Sequence, residues 1–251
     1  MSKQIFNALV LHRVLADELP LEDFEDIHEQ TLKYILTQKS WVFSTIEEAQ
    51  RECSDSAICL TFDDGNASDI KVVLPQLLST GNKATFFIIT SYVDTENYLT
   101  SEDIVKLHRA GMQIGSHSHT HPDFRELGSD DALSELIKSK EILESIIGTK
   151  VTAFSFPFGF HNKALDQSVL DAGYSTCLTS DHGFAKSIDS VLPRNSINSS
   201  MNFAHVEKIM FGSVALRIYW VFEDILKSCL KYVSPSIYRR LRNFFVGAKC
   251  P

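Results

Sequence analysis

The chain has 251 residues, 44% hydrophobic and 22% charged, with 11 Gly, 7 Pro and a net charge of −8. That length can bury a core as one α/β barrel or as two small domains, and the composition excludes collagen-like, coiled-coil and largely disordered chains. The acidic balance gives no case for nucleic-acid binding, and five scattered cysteines without a CxxC pair indicate neither a disulfide framework nor a zinc knuckle.

The first apolar run, residues 8–11, stops at His12 and Arg13. It is too short for the apolar region of a signal peptide and reads as a buried strand, so a reducing, cytoplasmic setting is expected. Residues 24–39 carry a helical pattern, and 57–62 read as a second buried strand. A helix is expected over 70–79, where Pro75 implies a kink or a late start. A strand over 84–89 precedes a helix over 102–110, which has a capping box from Thr100 to Asp103 and a stop at Gly111. After a strand over 112–115, a longer helix over 131–147 starts at Ser129 with Asp130 and Asp131 at its positive end, and stops at Gly148. Its Leu133, Leu136, Ile137, Leu143 and Ile147 fall on one face, expected to dock on a sheet. Strands over 152–156 and 174–178 complete the body. Repeated β-then-α units favour a parallel sheet with outer helices, and at this size a barrel with its site at the C-terminal strand ends.

Residues 206–251 differ in charge. Eight Lys and Arg stand there against Glu207, Glu223 and Asp224, a net +5, which leaves the remainder at −13. An acidic catalytic body over 1–205 and a basic helical extension over 206–251 are therefore expected. The longest weakly charged stretch, 209–222, is broken by Arg217 and falls short of the ~20 residues that span a bilayer. In the extension, Trp220 and many aliphatic residues interleave with Arg217, Lys227 and Lys231, and Arg239, Arg240 and Arg242 follow. Such a segment either lies on an anionic membrane face or packs on the barrel with its charges solvated.

Two motifs carry chemistry. Asp63-Asp64-Gly65 directly follows an apolar strand, where two adjacent carboxylates repel each other. A divalent cation held by one, with the other kept as a base, would retain both there; a plain turn is the alternative. Three of the nine histidines fall within His117-Ser118-His119-Thr120-His121, again after a short strand, with His117 and His121 at the i, i+4 spacing. One carboxylate and two imidazoles form a common hydrolytic ligand set, suited to Zn²⁺, Co²⁺ or Ni²⁺.

From about residue 5 to 197 the sequence resembles the polysaccharide deacetylases, family 4 of the carbohydrate esterases. Residues 60–65 resemble the family's first motif, 84–87 follow it as expected, and 117–122 and 156–159 resemble the second and third motifs. The resemblance implies a distorted (β/α) barrel and one divalent ion, zinc first. It makes Asp63 the general base, Asp64, His117 and His121 the metal ligands, and His119 a non-ligand. It also gives the Phe158 backbone N–H to the oxyanion.

Two departures stand out. The third motif often carries an Arg that orients the base, but Ser155 occupies its place. Arg194 either supplies that charge from another strand or makes a surface ion pair. The histidine that protonates the leaving amine has no counterpart downstream of Arg194, where His205 reads as helical. His12, closing the first strand, resembles the permuted arrangement of exopolysaccharide-processing members and is the expected acid; a strand-end histidine packed under a loop is the alternative. His161 and His182 read as loop residues near the site. The expected activity is N-deacetylation of an amino sugar in a polysaccharide, glycolipid or lipid-linked precursor. A carbohydrate-binding relative without catalysis and an amidase for another small amide, such as a formamide, are the alternatives.

Overall fold

The computed structural model describes residues 5–52 and 57–212. In chain order, β1 (Ile5–Leu11) leads to two short strands, β2 (Val14–Leu15) and β3 (Ile27–His28), which pair with each other. Then come α1 (Glu29–Leu36), β4 (Val42–Phe43), α2 (Ile46–Glu52) and β5 (Ala57–Phe62). A π-helical turn, Asp69–Val73, runs into α3 (Leu74–Thr80), followed by β6 (Ala84–Ile88), α4 (Ser101–Arg109), β7 (Gln113–Ser116) and α5 (Ser129–Ile147). The rest comprises β8 (Ala153–Ser155), α6 (Lys163–Asp171), β9 (Thr176–Leu178), β10 (Ala185–Lys186), β11 (Val191–Leu192), β12 (Asn195–Ser196) and α7 (Phe203–Phe211).

The sheet runs β1-β5-β6-β7-β8-β9-β11 with every pair parallel, and β10 adds antiparallel to β1. β11 bonds to β9 at one edge, whereas β12, two residues further on, bonds to β1 at the other. The run 191–196 therefore bridges both edges, and this nearly closed, barrel-like sheet with outer helices is the α/β architecture expected. Alternation along the strands separates two cores. Leu9, Leu11, Leu60, Phe62, Phe86, Ile88, Ile114 and Phe154 face the helices. Phe6, Ala8, Ala57, Cys59, Phe87 and Ala153 pack together on the opposite side with Ile46 and Ala49 of α2. The ring of Phe87 lies where a side chain on Gly115 would project, since a Cβ there would come within 2.4 Å of it. Glycine is the residue that lets this ring fit.

Most of the expected elements are present, with instructive differences. The helix expected from residue 24 starts only at Glu29. Asp26 is buried instead, accepting from Arg13 Nε (3.1 Å) and Nη2 (2.7 Å) and from the N–H groups of Glu22 and Asp23. That anchor keeps 27–28 extended beside β2. Pro75 sits in the first turn of α3, directly after the π-helical turn, so the late start expected there is a change of helix type at the proline. α5 buries Ala132, Leu136, Ser139 and Leu143, whereas Ile137 is exposed, so its docked face is rotated from the all-apolar one expected. The reason is polar: Ser139 Oγ meets Ser116 Oγ at 2.7 Å and Tyr174 OH at 3.2 Å inside the core.

α7 contributes Val206, Ile209 and Met210 to the core, and Asn7 Nδ2 donates to the carbonyls of Ile209 (2.9 Å) and Met210 (3.1 Å). The division expected at residue 205 falls within this packing, and 213–251, with most of the basic extension, lies outside the described residues. Among the described residues no helix is long and apolar enough to cross a membrane.

Candidate active site

The strand ends converge as parallel pairing requires. Asp63 follows β5 and its N–H donates to Leu11 O (3.0 Å); His117 follows β7 and its N–H donates to Ile88 O (2.9 Å). Asp64, His121 and Phe158 all have positive φ, at 78°, 58° and 59°. Non-glycine residues persist in that region only where surrounding structure imposes it, and such strain concentrates at functional sites.

One ligand atom each from Asp64, His117 and His121 lies within 4.8 Å of the other two. His117 Nε2 is 3.7 Å, and His121 Nε2 3.8 Å, from Asp64 Oδ1. The donor set fits one divalent ion. His117 Nδ1 lies 2.8 Å from Ser155 O, a carbonyl that can only accept, so the ring proton belongs on Nδ1 and the Nε2 lone pair faces the site. Burial, and then the neighbouring His117, push the His121 imidazole down to about 4, which keeps its lone pair available at neutral pH. The loop bearing these histidines is held from α5: Glu135 accepts from the N–H groups of His119 (2.9 Å) and Thr120 (2.8 Å) and from Thr120 Oγ1 (2.8 Å). His119 points elsewhere, its Nδ1 2.9 Å from Thr90 Oγ1.

Asp63 is the most tightly held group. Arg194, 1% exposed, reaches it bidentately, Nη1 to Oδ1 at 2.7 Å and Nη2 to Oδ2 at 2.8 Å. The remaining guanidinium protons go to Thr61 Oγ1 (3.0 Å), Ser155 Oγ (2.8 Å) and Thr179 O (3.1 Å), so all five are used. Of the two arrangements weighed for Arg194, the surface ion pair is the one the structure contradicts: the side chain is buried. Ser155 Oγ in turn donates to Asp63 Oδ2 (3.1 Å), so the small residue of the third motif joins the network rather than leaving a gap. Burial alone would raise the Asp63 carboxyl, but the Arg194 charge, with His117 and the Arg194 hydrogen bonds, holds it well below the ordinary carboxylate range.

His12 closes β1 with Nε2 3.7 Å from Glu25 Oε2. Burial opposes its protonation, but Glu25, Asp64 and Asp63 together hold its pKa above the ordinary value. The Phe158 ring packs edge-on against His121, with centroids 4.7 Å apart, which sets its turn beside the ligands. His205 lies on α7, as expected. Sequence reasoning missed Glu135, for which no local pattern exists, and Asp69. Burial, and then the charges of Asp64 and Asp63, push the Asp69 carboxyl well above its usual range.

A family model described as polysaccharide deacetylase matches residues 50–177. The peptidoglycan-N-acetylmuramic acid deacetylase PdaC of Bacillus subtilis is 30% identical over 128 residues, 51% of this chain and 27% of that protein. Overall the chain spans about half or less of the length of the curated relatives it matches. Among solved structures, the Streptococcus pyogenes deacetylase PplD, determined with acetate, superposes with a TM-score of 0.73 at 20% identity, over 83% of this chain and 99% of that one. A de-N-acetylase from Aggregatibacter actinomycetemcomitans does so with 0.74 at 17% identity, over 82% and 100%. At these identities the two structures speak to the fold.

Proposed function

Because the chain belongs to the polysaccharide deacetylase family, we propose that it is a metal-dependent hydrolase that removes an N-acetyl group from an amino sugar. The substrate would be part of a polysaccharide, glycolipid or lipid-linked precursor. The observation that carries this reading is the Asp64, His117 and His121 cluster lying directly beside an arginine-clamped carboxylate, with His117 Nε2 3.8 Å from Asp63 Oδ2. Asp64, His117 and His121 would hold one divalent ion, zinc first, with cobalt and nickel also suited to the set. Such an ion polarises an amide carbonyl and lowers the pKa of water.

The chain's own residues then divide the remaining work. Asp63 takes the proton of the attacking water, its oxygens aimed by Arg194 and Ser155. The Phe158 N–H faces the charge that develops on the carbonyl oxygen. His12, whose pKa Glu25 and the aspartates raise against the effect of burial, delivers a proton to the departing sugar amine. We place this reaction in the body, residues 1–205. The basic extension, 206–251, most of which lies outside the described residues, is proposed to contact an anionic membrane surface from the cytoplasmic side.

Elemental analysis tests the metal site. Wild type is expected to carry one divalent ion per chain, and Asp64→Ala and His117→Ala none, with acetate release from N-acetylated sugars lost in both. A wild type that takes up no zinc when it is added would end the hydrolase reading. For His12→Ala, turnover is expected to drop about 10²-fold or more, the range of a single acid–base group, with metal affinity unchanged. A wild-type rate in that variant would remove His12 from the mechanism.

A further inference from the structure

The Phe158 turn is tied to its surroundings at two points. The backbone of Gly159 lies so close to Ser180 that a Cβ would come within 2.1 Å of its Oγ. Two residues on, the His161 ring sits between two carboxylates, Nδ1 3.0 Å from Asp166 Oδ1 in the first turn of α6 and Nε2 2.8 Å from Asp181 Oδ2 in the loop after β9. Asp181 has a second attachment: its carbonyl accepts the N–H of Arg194 at 3.0 Å. One imidazole thus joins the turn that bears Phe158 to the segment that bears the clamp on Asp63.

We propose that His161 is a positioning residue that, with both ring nitrogens protonated, pins the Phe158 turn to Asp166 and Asp181. The inference rests on the hydrolase reading for its kinetic consequence but not for its structural one. A carboxylate can only accept, so two such bonds require two ring protons. A neutral ring keeps one bond and turns a lone pair towards the other carboxylate. The charged groups around the ring are Asp166 on α6 and Asp181 on the loop. Beside the turn, Arg125 of the loop before α5 lies 3.5 Å from the centroid of the Phe160 ring and is ion-paired with Asp123. The Phe156 ring packs at 6.1 Å. The bonds to Asp181 and Asp166 outweigh burial and raise the His161 pKa, so the clamp is intact below the ordinary imidazole value of about 6.5 and loosens as pH rises through the raised one.

The test is a pH titration of the zinc-loaded full chain by NMR, following the His161 ring and the backbone amides of Phe158 and Gly159. Wild type, His161→Gln and Asp181→Asn are compared, with acetate release measured on an N-acetylglucosamine pentamer. The two amides are expected to move with the midpoint of His161 and to lose that transition in both variants. In His161→Gln, kcat is expected to fall about tenfold with KM within about twofold, as a displaced positioning contact predicts, and the alkaline limb that His161 adds to kcat should vanish. Amides that ignore the His161 titration, or a His161→Gln variant with wild-type kcat at every pH, would overturn the proposal. If wild type releases no acetate from the pentamer, the deacetylase reading is the one that suffers, and the amide titration still decides the clamp.

Discussion

Arg194→Met is expected to cost about 3–5 kcal/mol of folding stability, the usual penalty for removing one partner of a buried ion pair. The variant removes all five guanidinium bonds and leaves Asp63 buried, with Ser155 Oγ as its remaining hydrogen-bond donor among those described. The pH dependence should change sign as well. In wild type the Asp63 carboxyl has a lowered pKa, so its contribution is complete above the ordinary carboxylate value of about 3.9 and is lost only as pH falls through the lower folded value. Without the arginine, burial dominates and the folded pKa lies above 3.9. The variant should then lose stability as pH rises through that value, which is the opposite slope. Chemical denaturation of both proteins at several pH values from 4 to 8 measures this. A loss below about 1 kcal/mol, or parallel pH profiles, would mean that the network is not what holds Asp63.

That clamp marks the limit of what the sequence reveals. Strand 57–62 was legible because six consecutive apolar or β-branched residues end at a turn, and all six are buried. The Thr100–Asp103 capping box and the Gly148 stop were legible because caps are local chemistry, and both are present, Gly148 at φ 72°. The metal-ligand candidates were legible because two short motifs each follow a strand, and parallel pairing brings strand ends together. Arg194 is different. Its position follows from closure of the sheet, in which 191–196 passes from one edge to the other, and no local pattern announces a pair of two-residue strands. The same applies to His161, whose two carboxylates lie 5 and 20 residues further along the chain. The α5 face was misjudged for a related reason. An amphipathic reading rewards Ile137, whereas the tertiary structure buries Ser139 at the turn above, because Ser116 and Tyr174 wait there as partners.

Asp63→Asn should cut turnover sharply while leaving the metal in place. The substitution keeps the shape of the side chain but removes the charge, and Asp63 lies beside the Asp64, His117 and His121 cluster rather than within it. One divalent ion per chain is therefore expected in the variant, with kcat lowered about 10³-fold, within the range for loss of a general base. The structural cost is separate from the chemical one. An amide offers one acceptor oxygen to a guanidinium that donates to both carboxylate oxygens, so one Arg194 proton would face the amide nitrogen. Buried at 1% exposure, Arg194 would keep its charge with no carboxylate against it, and a loss of stability is expected alongside the loss of rate. The two losses can be told apart, because a rate defect that is purely chemical persists at temperatures where the variant is fully folded. Metal content measured on the same folded sample then separates a missing base from a damaged metal site. Turnover close to wild type in folded, metal-loaded Asp63→Asn would move the base elsewhere and leave the Arg194 clamp as a structural feature alone.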